Sequence, residues 1–282
     1  MGPSAQTLKQ RSMNGSIPRR IIQTDKHADQ PLLGRGVAAN LRLLNPDFDY
    51  VFFDDVAVDR FIDTEFPQYR ALFEYFPFRI QRYDFFRYLA VYHLGGFYFD
   101  TDVLLASALD DLLPLGCVFP FEELTGQTFL VREYDMDWEI GNYAFGAAAN
   151  HPFIGAIIDN CVRAQREPAW AQQMMRPVPA PFRNEFQVLD TTGPGLVSRT
   201  LAEFPGAANH VHVPFPDDVR DVSTWHRFGN YGVHLQNGSW RRRRNAFYRM
   251  AFGLWDARTR RSLQTGSVKR GPKRTLQFRR AE

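Results

Sequence analysis

Asp100 and Asp102 stand one residue apart, directly behind Gly95-Gly96-Phe97-Tyr98-Phe99. An apolar run of that kind reads as a buried strand that ends at Asp100. Side chains alternate along a strand, so the two carboxylates point the same way if the extended geometry continues. Close carboxylates repel unless a cation lies between them. Hard divalent ions, Mn²⁺ or Mg²⁺, suit such oxygen ligands and bring phosphate-bearing substrates with them. The competing reading is a strand end followed by an ordinary Asp-rich turn.

The preceding segment must position this pair. Ile80, Tyr83, Phe86, Arg87, Ala90, Val91 and Leu94 recur at helical spacing, and Gly95-Gly96 supplies the stop. Asp84 and Arg87 are three apart and share a face of that helix. They read either as an exposed ion pair worth a few tenths of a kcal/mol or as a polar pair gripping a sugar or phosphate.

Strands are expected at Arg20 to Thr24, Tyr50 to Phe53, Phe97 to Phe99, Gly116 to Phe121, Val211 to Pro214 and Tyr231 to Leu235. A further strand holding Asn142 is expected within Trp138 to Ala149. Helices are expected at Val37 to Leu44, Val56 to Glu65, Gln68 to Phe76, Pro152 to Arg166 and Leu196 to Phe204. The proline-rich stretch Glu167 to Phe186 reads as a surface loop over the site. Alternating helices and short apolar strands indicate an α/β fold with a mostly parallel sheet. Ligands of such sheets bind beyond the carboxyl ends of the strands, where Asp100 and Asp102 fall.

Several of these pieces resemble the Asp-x-Asp sugar-binding glycosyltransferases of family 32, which include a yeast mannosyltransferase and clostridial glucosylating toxins. They are Ile17-Pro18-Arg19-Arg20-Ile21-Ile22-Gln23-Thr24, Leu44-Asn45-Pro46-Asp47-Phe48-Asp49-Tyr50, Phe53-Asp54-Asp55 and Phe66-Pro67. Arg82 to Tyr88 and Gly95 to Asp102 follow in the family's order and spacing. The likeness is dense from Ile17 to Leu113 and patchy afterwards, at Asn142, His151-Pro152, Thr192-Gly193-Pro194, His234 and Ser239-Trp240.

The resemblance implies a GT-A type nucleotide-sugar fold and a metal-dependent, retaining transfer of a sugar to a glycan or lipid-linked acceptor, as in envelope or capsular polysaccharide synthesis. It implies Asp102 as the direct metal ligand and Asp100 as a contact to the donor and the metal. Asp84 and Arg87 would hold the donor sugar, with Gln23, Thr24 and Tyr98 beside it. His234 would complete the metal shell, or else is a partly buried histidine bonded to a backbone carbonyl. Ser239 and Trp240 would donate to the leaving phosphate, and Asn142 would lie near the acceptor. The chain departs from the family where Ile22 replaces a His and Asp25 a Trp, which leaves the nucleobase open. A phosphohydrolase of the haloacid dehalogenase type shares a strand followed by Asp-x-Asp. Against it, Leu104 stands where that motif has Thr or Val, and the motif comes behind two strands. A silent nucleotide-sugar-binding protein is the third reading.

Apolar residues make up 44% of the 282 residues, enough for a sizeable core. Residues 1–16 are polar and expected to be disordered, 17–240 to form the catalytic domain, and 241–282 a basic tail. That tail carries fourteen Lys or Arg against Asp256 and Glu282, so it holds +12 of a net +3 and leaves the body at −9. Phe247, Met250, Ala251 and Leu254 give it an apolar helical face, which suits an anionic membrane surface; no nucleic-acid motif accompanies it. Without an apolar leader or a cysteine pattern around Cys117 and Cys161, the expectation is a cytoplasmic enzyme, peripheral on the inner membrane face.

Overall fold

The computed structural model describes residues 15–175, 178–236 and 246–264. Strand β1 (Arg20–Thr24) leads to helix α1 (Leu32–Leu44), β2 (Asp49–Phe53), α2 (Asp55–Glu65), α3 (Arg70–Tyr75) and α4 (Arg79–Leu94). Strands β3 (Gly96–Phe99), β4 (Val103–Leu105), β5 (Cys117–Val118) and β6 (Phe121–Leu124) follow, then α5 (Thr128–Tyr134), β7 (Trp138–Ile140) and β8 (Ala144–Ala147). Next come α6 (Pro152–Arg166), α7 (Pro168–Met175), α8 (Arg183–Thr191), α9 (Pro194–Glu203) and α10 (Ala207–His210). The last described elements are β9 (Arg227–Phe228), β10 (Gly232–His234) and α11 (Ala246–Gln264).

The central sheet has the order β2-β1-β3-β8-β5. Its core is parallel, β1 lying between β2 and β3, while β8 runs antiparallel to both β3 and β5. Both faces are covered, which explains why its strands read as unbroken apolar runs. Alternation divides them: Ile22 and Tyr98 enter one core with α2, α4, α6 and α9, while Ile21, Phe97 and Phe99 enter the other with α1 and β4.

Gly95 and Gly96 join α4 to β3 with no intervening loop. Gly95 has φ +63° and Gly96 φ +111°. A Cβ on Gly96 would meet the Arg20 carbonyl oxygen at 2.7 Å. This turn lets one helix and one strand lie side by side, each carrying site residues at the same end of the sheet.

Some expectations need correction. The stretch from Glu167 to Phe186 is not a loop: it holds α7, a short 3₁₀ turn (Ala180–Phe182) and the start of α8. Pro168 opens α7 and Pro181 lies in the first turn of the 3₁₀ segment, where a missing N–H costs nothing. The strand expected from Gly116 to Phe121 is split into β5 and β6 around Pro120, which cannot donate to a ladder. Asn142 occupies the bend between β7 and β8 rather than a strand. On α11 the apolar face is rotated: Tyr248, Ala251, Phe252 and Trp255 pack on Val178, Phe182 and Phe186, whereas Met250 and Leu254 are exposed. No helix among the described residues is long and apolar enough to cross a membrane.

Candidate metal and donor site

The chain does not stay extended after Asp100. It turns, the Val103 N–H donating to the Asp100 carbonyl at 3.2 Å, and β4 leaves for a second, three-stranded sheet ordered β4-β10-β9. That turn still brings the carboxylates together. Antiparallel pairing sets His234 opposite Val103, and the Leu235 N–H donates to the Asp102 carbonyl at 2.9 Å. Asp100, Asp102 and His234 therefore converge, each offering a ligand atom within 4.8 Å of the others.

His234 Nε2 lies 3.3 Å from Asp102 Oδ1, and its ring stacks on Tyr143 at 4.3 Å. Its Nδ1 is buried with no hydrogen-bond partner. The alternative reading of His234, a histidine bonded to a backbone carbonyl through its ring, finds no such bond among the described residues. Two carboxylates and an imidazole are the donor chemistry of a Mn²⁺ or Mg²⁺ site, and Nε2 is the ring nitrogen that faces Asp102. The three side chains keep 27%, 16% and 18% of their surface open, so a ligand can reach them.

Behind them lies a closed polar network. Asp84 and Arg87, from the inner face of α4, are 6% and 4% exposed, so the pair is not on the surface. Arg87 Nη2 faces Asp84 Oδ1 at 3.2 Å and Asp100 Oδ1 at 3.3 Å, and Nη1 donates to the Asn142 carbonyl at 2.8 Å. Its guanidinium covers the Tyr98 ring at 4.7 Å. Asp84 accepts from the Asn142 amide at 3.1 Å and from the Thr192 hydroxyl at 3.0 Å. Burial pushes the Asp84 carboxyl up to about 6, against the pull of Arg87. Burial also raises Asp100, opposed by Arg87 and His234 and reinforced by the neighbouring Asp102.

Tyr98 donates its hydroxyl to Asp100 Oδ1 at 2.8 Å. Gln23 is fully buried; its amide donates to the Asp100 carbonyl at 3.3 Å while its oxygen accepts from Tyr50 at 2.7 Å. Thr24 donates to the Phe53 carbonyl at 2.9 Å. These three side chains are turned to protein partners: Gln23 and Tyr98 support Asp100, and Thr24 braces β1 against β2. Ser239 and Trp240 lie outside the described residues. The sequence reading missed Tyr143 under the imidazole and gave no role to Thr192 beside Asp84. Each is far in sequence from the group it touches, and only the resemblance at Thr192-Gly193-Pro194 pointed to either.

A second buried acidic set lies next to this network. Glu139 accepts from the Thr125 hydroxyl, and Asp190 accepts twice from the Gln127 amide at 2.9 and 3.1 Å. Burial, aided by Glu123, pushes Glu139 up to about 7 from 4.5. Between those values the folded state binds more protons than the unfolded one, so stability falls as pH rises through this window. We expect Glu139→Gln to flatten that fall, and urea denaturation of both proteins at pH 5 and pH 8 measures it. Equal pH slopes would show that Glu139 is ionised throughout.

The sequence family described as glycosyltransferase sugar-binding region containing DXD motif matches residues 35–118. Inositol phosphoceramide mannosyltransferase 2 of Schizosaccharomyces pombe is 32% identical over 159 residues, covering 55% of this chain and 42% of that protein. Mannosyl phosphorylinositol ceramide synthase CSH1 of Saccharomyces cerevisiae is 30% identical over 145 residues, covering 50% of this chain and 34% of the relative. The chain thus spans less than half the length of these curated relatives. Among solved structures, a protein described as PaToxG glycosyltransferase aligns over 72% of this chain and 78% of its own, with 18% identity and a TM-score of 0.47. The match at residues 35–118 takes in α4, β3 and both aspartates, and this chain carries the sugar-binding region of the DXD-motif glycosyltransferases, homologous to that of the yeast mannosyltransferases.

Proposed function

We propose that the protein moves a hexose from a nucleotide-sugar donor to a hydroxyl of a lipid-linked or glycan acceptor, with Mn²⁺ or Mg²⁺ held by Asp100, Asp102 and His234. The observation that carries this reading is the convergence of those three groups, partly open, at the end of β3 and directly in front of the buried Asp84–Arg87 network. The names of the yeast relatives support mannose as the sugar and an inositol-bearing sphingolipid as the acceptor class.

A divalent ion in this position supplies charge neutralisation of the donor diphosphate as it leaves. The chain's own residues do the positioning. Arg87 and Tyr98 fix the Asp100 carboxylate, and Tyr143 fixes the plane of the His234 ring. Asp84 is held by Arg87, Asn142 and Thr192, which leaves it poorly placed as a nucleophile. We therefore favour retention by a front-face route. The bond from the anomeric carbon to the diphosphate oxygen breaks, the acceptor oxygen bonds on the same face, and its proton passes to the departing phosphate oxygen.

A thermal-shift screen of uridine and guanosine diphosphate sugars, with and without Mn²⁺, tests the reading. A ligand at one hundred times its Kd adds about 2.7 kcal/mol of stability, so a Mn²⁺-dependent rise in Tm is expected for one class of donor. Turnover of p-nitrophenyl phosphate with no nucleotide-sugar shift would favour a phosphohydrolase. A shift with neither transfer nor hydrolysis across acceptors would leave a binding protein.

A further inference from the structure

Helix α11 is apolar on two faces, and the body uses only one. On the inner face Phe252 and Trp255 meet Phe182 at 5.3 and 5.5 Å, and the Tyr248 hydroxyl donates to Glu185 at 3.2 Å. Farther along, Arg260 Nη2 reaches Glu123 at 2.7 Å and Nε reaches Asp256 at 2.8 Å. The helix is thus fastened towards both ends. Facing outward at successive four- and three-residue steps are Met250, Leu254, Arg258 and Arg261, all exposed, the first two by 57% and 67%. Those steps place them on one stripe. No inner-face contact uses them.

We propose that this stripe docks on an anionic lipid surface. Charge chooses the occupant: two exposed arginines continue the apolar pair, and residues 265–282 add six Lys or Arg against Glu282 alone. Apolar side chains beside basic ones on a single helix face are the pattern of an interfacial helix, whose apolar groups enter the headgroup boundary while the cations meet lipid phosphates. Nucleic acid would use the cations and leave Met250 and Leu254 without purpose.

The docked helix is also tied to the metal site. Glu123, held by Arg260, lies 3.7 Å from His226 Nε2. The His226 carbonyl accepts the N–H of His234 at 3.0 Å. Arg260, Glu123 and His226 thus connect α11 by direct contacts to the strand that carries His234. The proposal rests on the helix and not on the transfer reading, so vesicle binding and donor binding fail separately.

Sedimentation of the full chain with phosphatidylcholine vesicles, with and without phosphatidylserine, tests it. We expect binding only when phosphatidylserine is present, weakening steeply as salt rises. Each arginine near such a surface contributes about fivefold in affinity, so R258Q with R261Q should weaken binding about 25-fold. M250Q with L254Q should weaken it by about tenfold or more. Both variants should melt at the wild-type temperature, because the side chains replaced are exposed. L43Q, at a still more exposed leucine on α1, should bind like wild type. Wild-type protein left in the supernatant at low salt would overturn the proposal. So would equal binding by the α11 variants, or binding to a DNA duplex that R258Q/R261Q weakens and M250Q/L254Q does not.

Discussion

Asp102→Asn is expected to leave the fold intact and to lower Mn²⁺-dependent affinity for a nucleoside diphosphate by at least about 100-fold. Even partners of metal ligands cost 10- to 100-fold when removed, and Asp102 is itself placed as a ligand. Its side chain is partly open and faces the imidazole of His234, so the neutral amide disturbs no buried charge. The fold is preserved because the Asp102 main-chain carbonyl, which accepts from Leu235, is untouched. Titration calorimetry with Mn²⁺ and uridine or guanosine diphosphate reads the affinity, and a thermal melt without metal reads the fold. Unchanged metal-dependent affinity would remove Asp102 from the site.

Arg87→Ala should be the most damaging single change, and it should damage stability as well as activity. An exposed pair contributes at most about 1 kcal/mol, whereas removing one partner of a buried pair costs about 3–5 kcal/mol. The 4% exposure of Arg87 places it in the second case. Its loss strands Asp84 without a cation and frees the Asn142 carbonyl. It also takes away the counter-charge that opposes protonation of Asp100, so metal affinity falls in whatever fraction remains folded. Arg87→Lys should recover little, because an ammonium cannot span Asp84, Asp100 and Asn142 as the guanidinium fork does. Urea denaturation of both variants measures this. A loss below 1 kcal/mol for Arg87→Ala would mean that the pair is solvated in solution.

The contrast between those two numbers explains what the sequence can and cannot convey. Three-residue spacing on a helix is the same for a surface pair and a buried one, so Asp84 and Arg87 were legible as partners but not as interior residues. Strong periodicity was legible: β1 and α6 have the bounds their patterns predict, and α4 starts one residue before its first periodic position. The prolines of 168–181 misled because composition does not say whether a proline opens a helix or breaks one. For α11 the apolar residues lie on two faces, so periodicity alone could not choose the packed one. The two aspartates were visible as a pair. The pairing of β4 with β10, which delivers the imidazole, is a long-range contact with no local signature.

That pairing has a consequence for how the molecule assembles. The two aspartates are near neighbours in the chain, but the imidazole arrives only when residues that follow α9 have laid β10 beside β4. Closing so long a loop is slow relative to local helix formation. A fragment ending before Arg227 would retain the whole matched region and yet offer a bidentate acidic patch rather than a three-sided cage. Manganese affinity would then report the last step of folding, and during refolding it should appear after helical circular dichroism has been regained.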